Sequence, residues 1–131
     1  MSEDEIRQME AGRALDALVA EKIFHIEVEL RPLTNHGGYL VPEDWYPAGA
    51  LCHPAKAIPH YSTDIAAAWE VVDKWAEIEK SPVSVNWGTM SGEDPHASAV
   101  SFFGSGLVVV APTAPLAICR AALLAVMEAG E

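Results

Sequence analysis

The chain has 131 residues, half of them hydrophobic, and a formal net charge of −11. This length and composition predict a single domain over residues 1–131 with a core of its own, and they exclude a disordered chain. The negative charge argues against a surface that coats nucleic acid or binds an anionic membrane, because both need clustered lysine and arginine. The negative net charge does not exclude the binding of one small anion in a locally basic pocket.

The predicted elements begin with a frayed tail or an early turn over residues 1–8. A helix follows over residues 10–24, where apolar residues recur at helical spacing. Residues 25–30 then alternate between apolar and polar, which predicts a strand that ends before Pro32.

Residues 31–60 combine five prolines, three glycines and three histidines. This composition predicts a long irregular loop with a turn at Gly37–Gly38. Because a loop of this length in a small domain usually carries function, we expect ligand contacts here.

The next helix is predicted to begin at Ser62 or Thr63, as an N-cap, and to end near Lys80. Its apolar residues fall into two neighbouring strips, so more than one face of this helix is expected to be covered. We expect Trp69 and Trp75 to belong to the core.

Strands are predicted over residues 83–87, 97–103 and 107–110, with a turn or bulge at residues 104–106. A last helix begins after Thr113 and is apolar nearly all round. It is therefore either the central helix of a layer or part of a subunit interface.

Three segments carry a family resemblance: residues 11–22, 61–72 and 114–125. In this order they resemble the phage ABA sandwich domain family, and the middle segment is the most specific. The resemblance implies an α+β fold of the α/β/α sandwich type, with a small antiparallel sheet among about three helices. It also implies phage origin and expression in the cytoplasm of an infected bacterium, and it brings no catalytic signature.

The sequence gives little support for a metal site or for a catalytic nucleophile. His36, Cys52, His53 and His60 share one loop, but adjacent residues rarely bind the same zinc ion and no C-x-x-C spacing occurs. Cys52 beside His53 lacks a recognisable orienting acid. Cys119, within the apolar helix, is expected to be a small core residue.

The acidic pairs at residues 43–44 and 93–94 are typical of solvated turns. The Gly-rich segment at 104–106 precedes a strand and is no dinucleotide fingerprint. We therefore predict no catalytic residue, no metal and no cofactor, and no membrane or extended nucleic acid as a partner.

A binding site without chemistry is the remaining hypothesis. A nucleotide needs aromatic faces for its base and N–H donors for its phosphates. The candidate ligand-binding residues are Tyr39, Trp45, Lys56, Tyr61, Ser62, Thr63, Asp64 and Arg120. The alternative to ligand binding gives these residues structural roles. Tyr61 is then a hydrophobic staple and Ser62 a helix cap. Arg120 forms an ion pair with an acid such as Asp64, and for Arg120 we favour this ion pair.

Two functions follow as hypotheses. In the first, the chain is a homo-oligomeric, non-enzymatic counter-defence protein that sequesters a small anionic, nucleotide-derived immune signal; this role is an analogy to other small phage proteins. In the alternative, the acidic surface is a protein–protein interaction module that inhibits a host protein.

Overall fold

The computed structural model describes residues 2–36, 38–50, 56–80, 82–88, 96–101 and 108–128. The elements in these ranges are α1 (Glu3–Gln8), α2 (Arg13–Lys22), β1 (Val28–Arg31), β2 (Thr34–His36), β3 (Tyr39–Val41), β4 (Asp44–Pro47), α3 (Ile65–Glu79), β5 (Val83–Gly88), β6 (His96–Ser101), β7 (Val108–Ala111) and α4 (Ala114–Glu128). The strands form three antiparallel sheets, β1–β4, β2–β3 and β5–β6–β7. The predicted α+β class, with small antiparallel sheets among helices, is confirmed.

Residues Glu3–Gln8 form an α-helix, so the prediction of a frayed tail or an early turn is wrong. Ser2 is the N-cap of α1, and its hydroxyl accepts a hydrogen bond from the Glu5 amide at 3.2 Å. Three acidic residues in the first turn complement the positive end of the helix dipole. Cap and charge together stabilise a helix of only six residues.

The segment predicted as an irregular loop over residues 31–60 contains three strands. The two small ladders β1–β4 and β2–β3 follow a single register and form one interrupted hairpin. Pro32 and Pro42 lie at the interruption, because proline has no N–H to donate to a ladder. At the tip, the Asn35 carboxamide oxygen accepts from the amide of Gly38, whose φ is +86°.

Helix α4 lies at the centre of the core. Every residue from Leu116 to Val126 is buried except Arg120. The helix packs against α3 and against one face of the β5–β6–β7 sheet, where Ala97 and Ala99 are completely buried. Of the two alternatives for this helix, the central position is the correct one, because its apolar surface is covered within the chain.

Helix α3 buries residues of both of its apolar strips and leaves part of one strip exposed. Ala68, Val71 and Trp75 are completely buried. Ile65 is 51% exposed and Trp69 is 52% exposed, so the prediction that Trp69 belongs to the core is wrong. Two adjacent apolar strips make a face wider than the buried one, and the sequence pattern does not show which edge of that face stays exposed.

The last strand of the three-stranded sheet alternates in burial, although its sequence is uniformly apolar. Val109 and Ala111 are buried against α4, whereas Val108 and Val110 are exposed on the opposite face. The predicted turn at residues 104–106 and the acidic pair at residues 93–94 lie outside the described residues. Among the helices that are described, none is long and apolar enough to cross a membrane.

Candidate functional site

A buried carboxylate organises the polar interior. Asp16 is completely buried in α2. Its Oδ1 accepts hydrogen bonds from the Ser62 amide at 2.7 Å and from the Ser62 hydroxyl at 2.6 Å. Its Oδ2 accepts from Arg13 Nη1 at 3.0 Å. A buried charge is stable only when it is paired and hydrogen-bonded, and Asp16 satisfies both conditions.

Arg13 connects this carboxylate to two other parts of the chain. Its Nε donates to Asp44 Oδ1 at 2.7 Å, and Nη2 donates to the Ile58 carbonyl at 2.8 Å. Nη1 also reaches the Pro59 carbonyl at 3.2 Å. The Arg13 guanidinium therefore fastens α2 to β4 and to the segment before α3. Asp44, predicted as part of a solvated turn, is instead an ion-pair partner.

The start of α3 differs from the sequence prediction by one to two residues. The Ser62 hydroxyl accepts from the Gly12 amide at 2.9 Å and is completely buried, so it caps no helix. Asp64 is the N-cap, and its side chain accepts from the Ala66 amide at 3.0 Å. Thr63 is exposed. Ser62 is drawn inward because the buried Asp16 carboxylate needs its two donors.

Tyr61 is a core residue, but it is not the predicted hydrophobic staple of α3, because its ring packs on Phe24, just after the end of α2. Its ring stacks on Phe24, with the centroids 5.1 Å apart and the planes at 16°. Burial, together with the nearby carboxylates Glu70 and Asp16, raises the pKa of the Tyr61 phenol to about 12. The side chain is only 3% exposed, so little of its ring is accessible to a ligand.

Arg120 makes its described hydrogen bonds to a backbone carbonyl, not to the predicted acidic partner Asp64. Its Nε and Nη2 both donate to the Met9 carbonyl, at 2.9 and 2.6 Å. Burial lowers the pKa of the guanidinium, while nearby Glu10 acts in the opposite direction. The contact fixes the turn between α1 and α2 over the central helix.

None of the side-chain hydrogen bonds described above involves the other three candidate residues. Lys56 is exposed, and Tyr39 is in β3 with its side chain outside the described part of the structure. Trp45 is half-buried and forms one wall of an open cleft of about 270 Å³. Of the eight predicted residues, Ser62 and Tyr61 belong to the polar interior and the core, Asp64 caps a helix, and Arg120 holds a turn.

Sequence reasoning missed Arg13 and Asp16, although a signal for them exists. Asp16 precedes Val19, Ala20 and Ile23 by three, four and seven residues, which places a carboxylate within the apolar strip of α2. An arginine three residues before an acid on a helix lies within reach of it. An acid at a core position with such a neighbour indicates a buried pair.

No site for metal or thiol chemistry is found in the part of the chain that the structure describes. No group of three or more His, Cys, Asp or Glu side chains there is arranged to hold a metal ion. Cys52 and His53 lie outside the described residues. Cys119 is buried, and this burial raises the pKa of its thiol well above the ordinary value.

We expect Asp64→Ala to destabilise the fold by about 1 kcal/mol, because the first turn of α3 loses its side-chain acceptor. Thr63→Ala is the matched control at the neighbouring exposed position, with an expected change within about 0.5 kcal/mol. Urea unfolding of the wild-type chain and the two variants measures both changes in the free energy of unfolding. Equal stabilities for the two variants would show that the cap contributes nothing.

These features define a small α+β sandwich domain in which a central helix and a buried arginine–aspartate cluster hold the layers together. The sequence profile of the Phage ABA sandwich domain matches residues 17–123. The chain belongs to this family and is a phage protein. No curated protein and no solved structure matches it.

Proposed function

We propose that this protein acts without catalysis, by docking the exposed face of α3 onto a basic surface of a host protein in the cytoplasm of the infected bacterium. The observation that carries the proposal is the pair Ile65 and Trp69, each about half exposed on an acidic helix. Large exposed apolar side chains beside charged ones are characteristic of interaction surfaces.

The two apolar side chains form a continuous ridge. Ile65 and Trp69 are four residues apart and therefore lie one above the other on α3, with the exposed Asp73 next along the same line. Exposed Glu70 flanks the ridge. Tryptophan is the residue type most often found at the energetic centre of an interface, and the surrounding carboxylates select a cationic partner.

The distribution of positive charge favours the same partner. Each of the four arginines donates to a group within the chain: Arg7 to Glu3, Arg13 to Asp44 and Asp16, Arg31 to Glu29, and Arg120 to the Met9 carbonyl. The guanidinium groups are therefore engaged internally, while the net charge remains −11. A field of this sign attracts basic partners and speeds their association.

Sequestration of a nucleotide-derived immune signal is the second candidate. One observation favours it: the Trp45 indole faces an open cleft, where a base can stack. It ranks second because phosphate groups need several free donors. Arg120 and Arg13 are occupied, and exposed Lys56 is the one cation left among the eight predicted residues. Homo-oligomer formation stays a prediction under either candidate.

A pull-down from bacterial lysate with three baits tests the docking surface. We expect the wild-type chain and Trp87→Ala to retain the same host protein, and Trp69→Ala to lose it. Trp87 is the matched control because it is 62% exposed and lies in β5, away from α3. Retention should fall steeply as salt is added, since the attraction is between exposed charges.

The outcome that contradicts the proposal is equal retention by all three baits, or loss with Trp87→Ala alone. The same purified proteins, denatured and analysed by mass spectrometry, test the second candidate. Release of an intact nucleotide by the wild-type chain and its loss with Trp45→Ala would replace the protein-docking function by sequestration. Release of a chemically altered nucleotide would instead indicate an enzyme.

A further inference from the structure

The cleft beside Trp45 is built on one face of α2. Ala14, Ala17, Leu18 and Glu21 are spaced by three, four and seven residues from the first, so they share a single line on the helix. The two alanines leave a depression because their side chains end at Cβ. Met9 and Trp45 complete the lining from the turn before the helix and from β4.

The charge in the described lining of the cleft is negative. Glu21 is the one charged residue in its described lining, and it is exposed with no described ion-pair partner. Two cations lie near the lining, Arg13 beside Ala14 in the chain and Arg120 at the Met9 carbonyl. The Arg13 guanidinium is held by Asp44 and Asp16, and that of Arg120 is held by the carbonyl. A ligand that enters therefore meets apolar walls, an indole and a carboxylate.

We propose that this cleft binds a small organic cation, in which an aromatic or alkyl body carries one ammonium group. The body packs against Met9, Leu18 and Trp45, and the ammonium lies near Glu21 and the indole, where both charge and cation–π attraction favour it. This is the opposite charge from the nucleotide-like ligand predicted from the sequence.

The size of the cleft limits the ligand to about one ring with a short chain. Its volume of about 270 Å³ is below the range of roughly 300–1,000 Å³ that holds drug-sized molecules. A ligand of so few atoms binds weakly, and we expect a dissociation constant of about 1 mM. The site does not depend on the docking surface of α3, so either proposal can fail alone.

NMR titration with two probes of similar shape and opposite charge tests the proposal. We expect 2-phenylethylamine to give saturable shifts at the methyl groups of Ala14, Ala17 and Leu18 and at the Trp45 indole. We expect 3-phenylpropionate to give none, because Glu21 repels its carboxylate. Absence of saturable shifts with the amine, or equal affinity for the two probes, overturns the proposal.

Two variants with matched controls separate the cleft from nonspecific attraction to an acidic protein. Ala14→Leu fills the depression at an exposed helical position and should abolish saturation, whereas Ala66→Leu on α3 should not. Glu21→Gln should weaken amine binding about fivefold, as expected for loss of one charge near 4 Å in water, whereas Glu70→Gln should leave it unchanged. Equal effects within either pair contradict a site in this cleft.

Discussion

Asp16→Ala is expected to destabilise the protein by about 3 kcal/mol, which is a large fraction of the stability of a domain this small. The substitution leaves the Ser62 amide and hydroxyl without their shared acceptor in the interior. It also removes one of two carboxylates from the Arg13 guanidinium. We place the loss at the lower end of the roughly 3–5 kcal/mol range for buried pairs, because Arg13 keeps Asp44 and is 24% exposed.

Urea unfolding measures this loss against Asp73→Ala, an exposed acid whose removal should change stability by no more than about 0.5 kcal/mol. A double-mutant cycle with Arg13→Ala should give a coupling energy above about 1 kcal/mol, since the two side chains share one network. A loss below about 1 kcal/mol for Asp16→Ala would show that the cluster is not what holds the segment before α3.

The second large effect distinguishes two tryptophans on the same helix. Trp75→Ala should cost about 3–5 kcal/mol, because Trp75 is completely buried and its removal leaves a cavity beside α4. Trp69→Ala should cost about 1 kcal/mol or less, because half of its surface is already in water.

Thermal melts and urea titrations of the two variants test this contrast directly. Each variant serves as the control for the other, since residue type, helix and substitution are the same. The reverse order, with Trp69→Ala the less stable protein, would mean that Trp69 and not Trp75 faces the core. The contrast also determines whether Trp69→Ala is a valid binding variant, since a destabilised bait would lose its partner for trivial reasons.

The sequence predicts α2, α3, α4 and the three-stranded sheet well. Apolar periodicity in α2, the long apolar run of α4 and alternation in β5 are strong local signals, and the structure places these elements within a few residues of the prediction. The family resemblance likewise rests on segments that are helical for most of their length.

The hairpin and the candidate site are harder to predict, for physical reasons. Prolines at 32 and 42 interrupt the alternation by which strands are recognised, although the ladders on both sides share one register. Apart from Asp16, the partners of Arg13 are 31 to 46 residues away, and that of Arg120 is 111 residues away. Local patterns identify a buried charge, but only the tertiary fold determines which distant group meets it.

Residues that looked available for a ligand are therefore occupied by the protein itself. Ser62 and Asp64 satisfy backbone and carboxylate groups at the entry to α3, and Tyr61 fills the core beside Phe24. The two surfaces proposed as binding sites, on α3 and in the α2 cleft, are acidic and apolar. Both favour cationic partners, a basic protein on the first and a small ammonium compound in the second.

Site-specific photo-crosslinking in infected bacteria tests the central claim most directly. The photoreactive residue p-benzoylphenylalanine is placed at Trp69 in one protein and at Trp87 in another, two exposed positions in different elements. We expect a discrete adduct with one host protein from position 69 and none from position 87. An adduct from position 87 alone, or no adduct from either position, would contradict docking through the acidic face of α3.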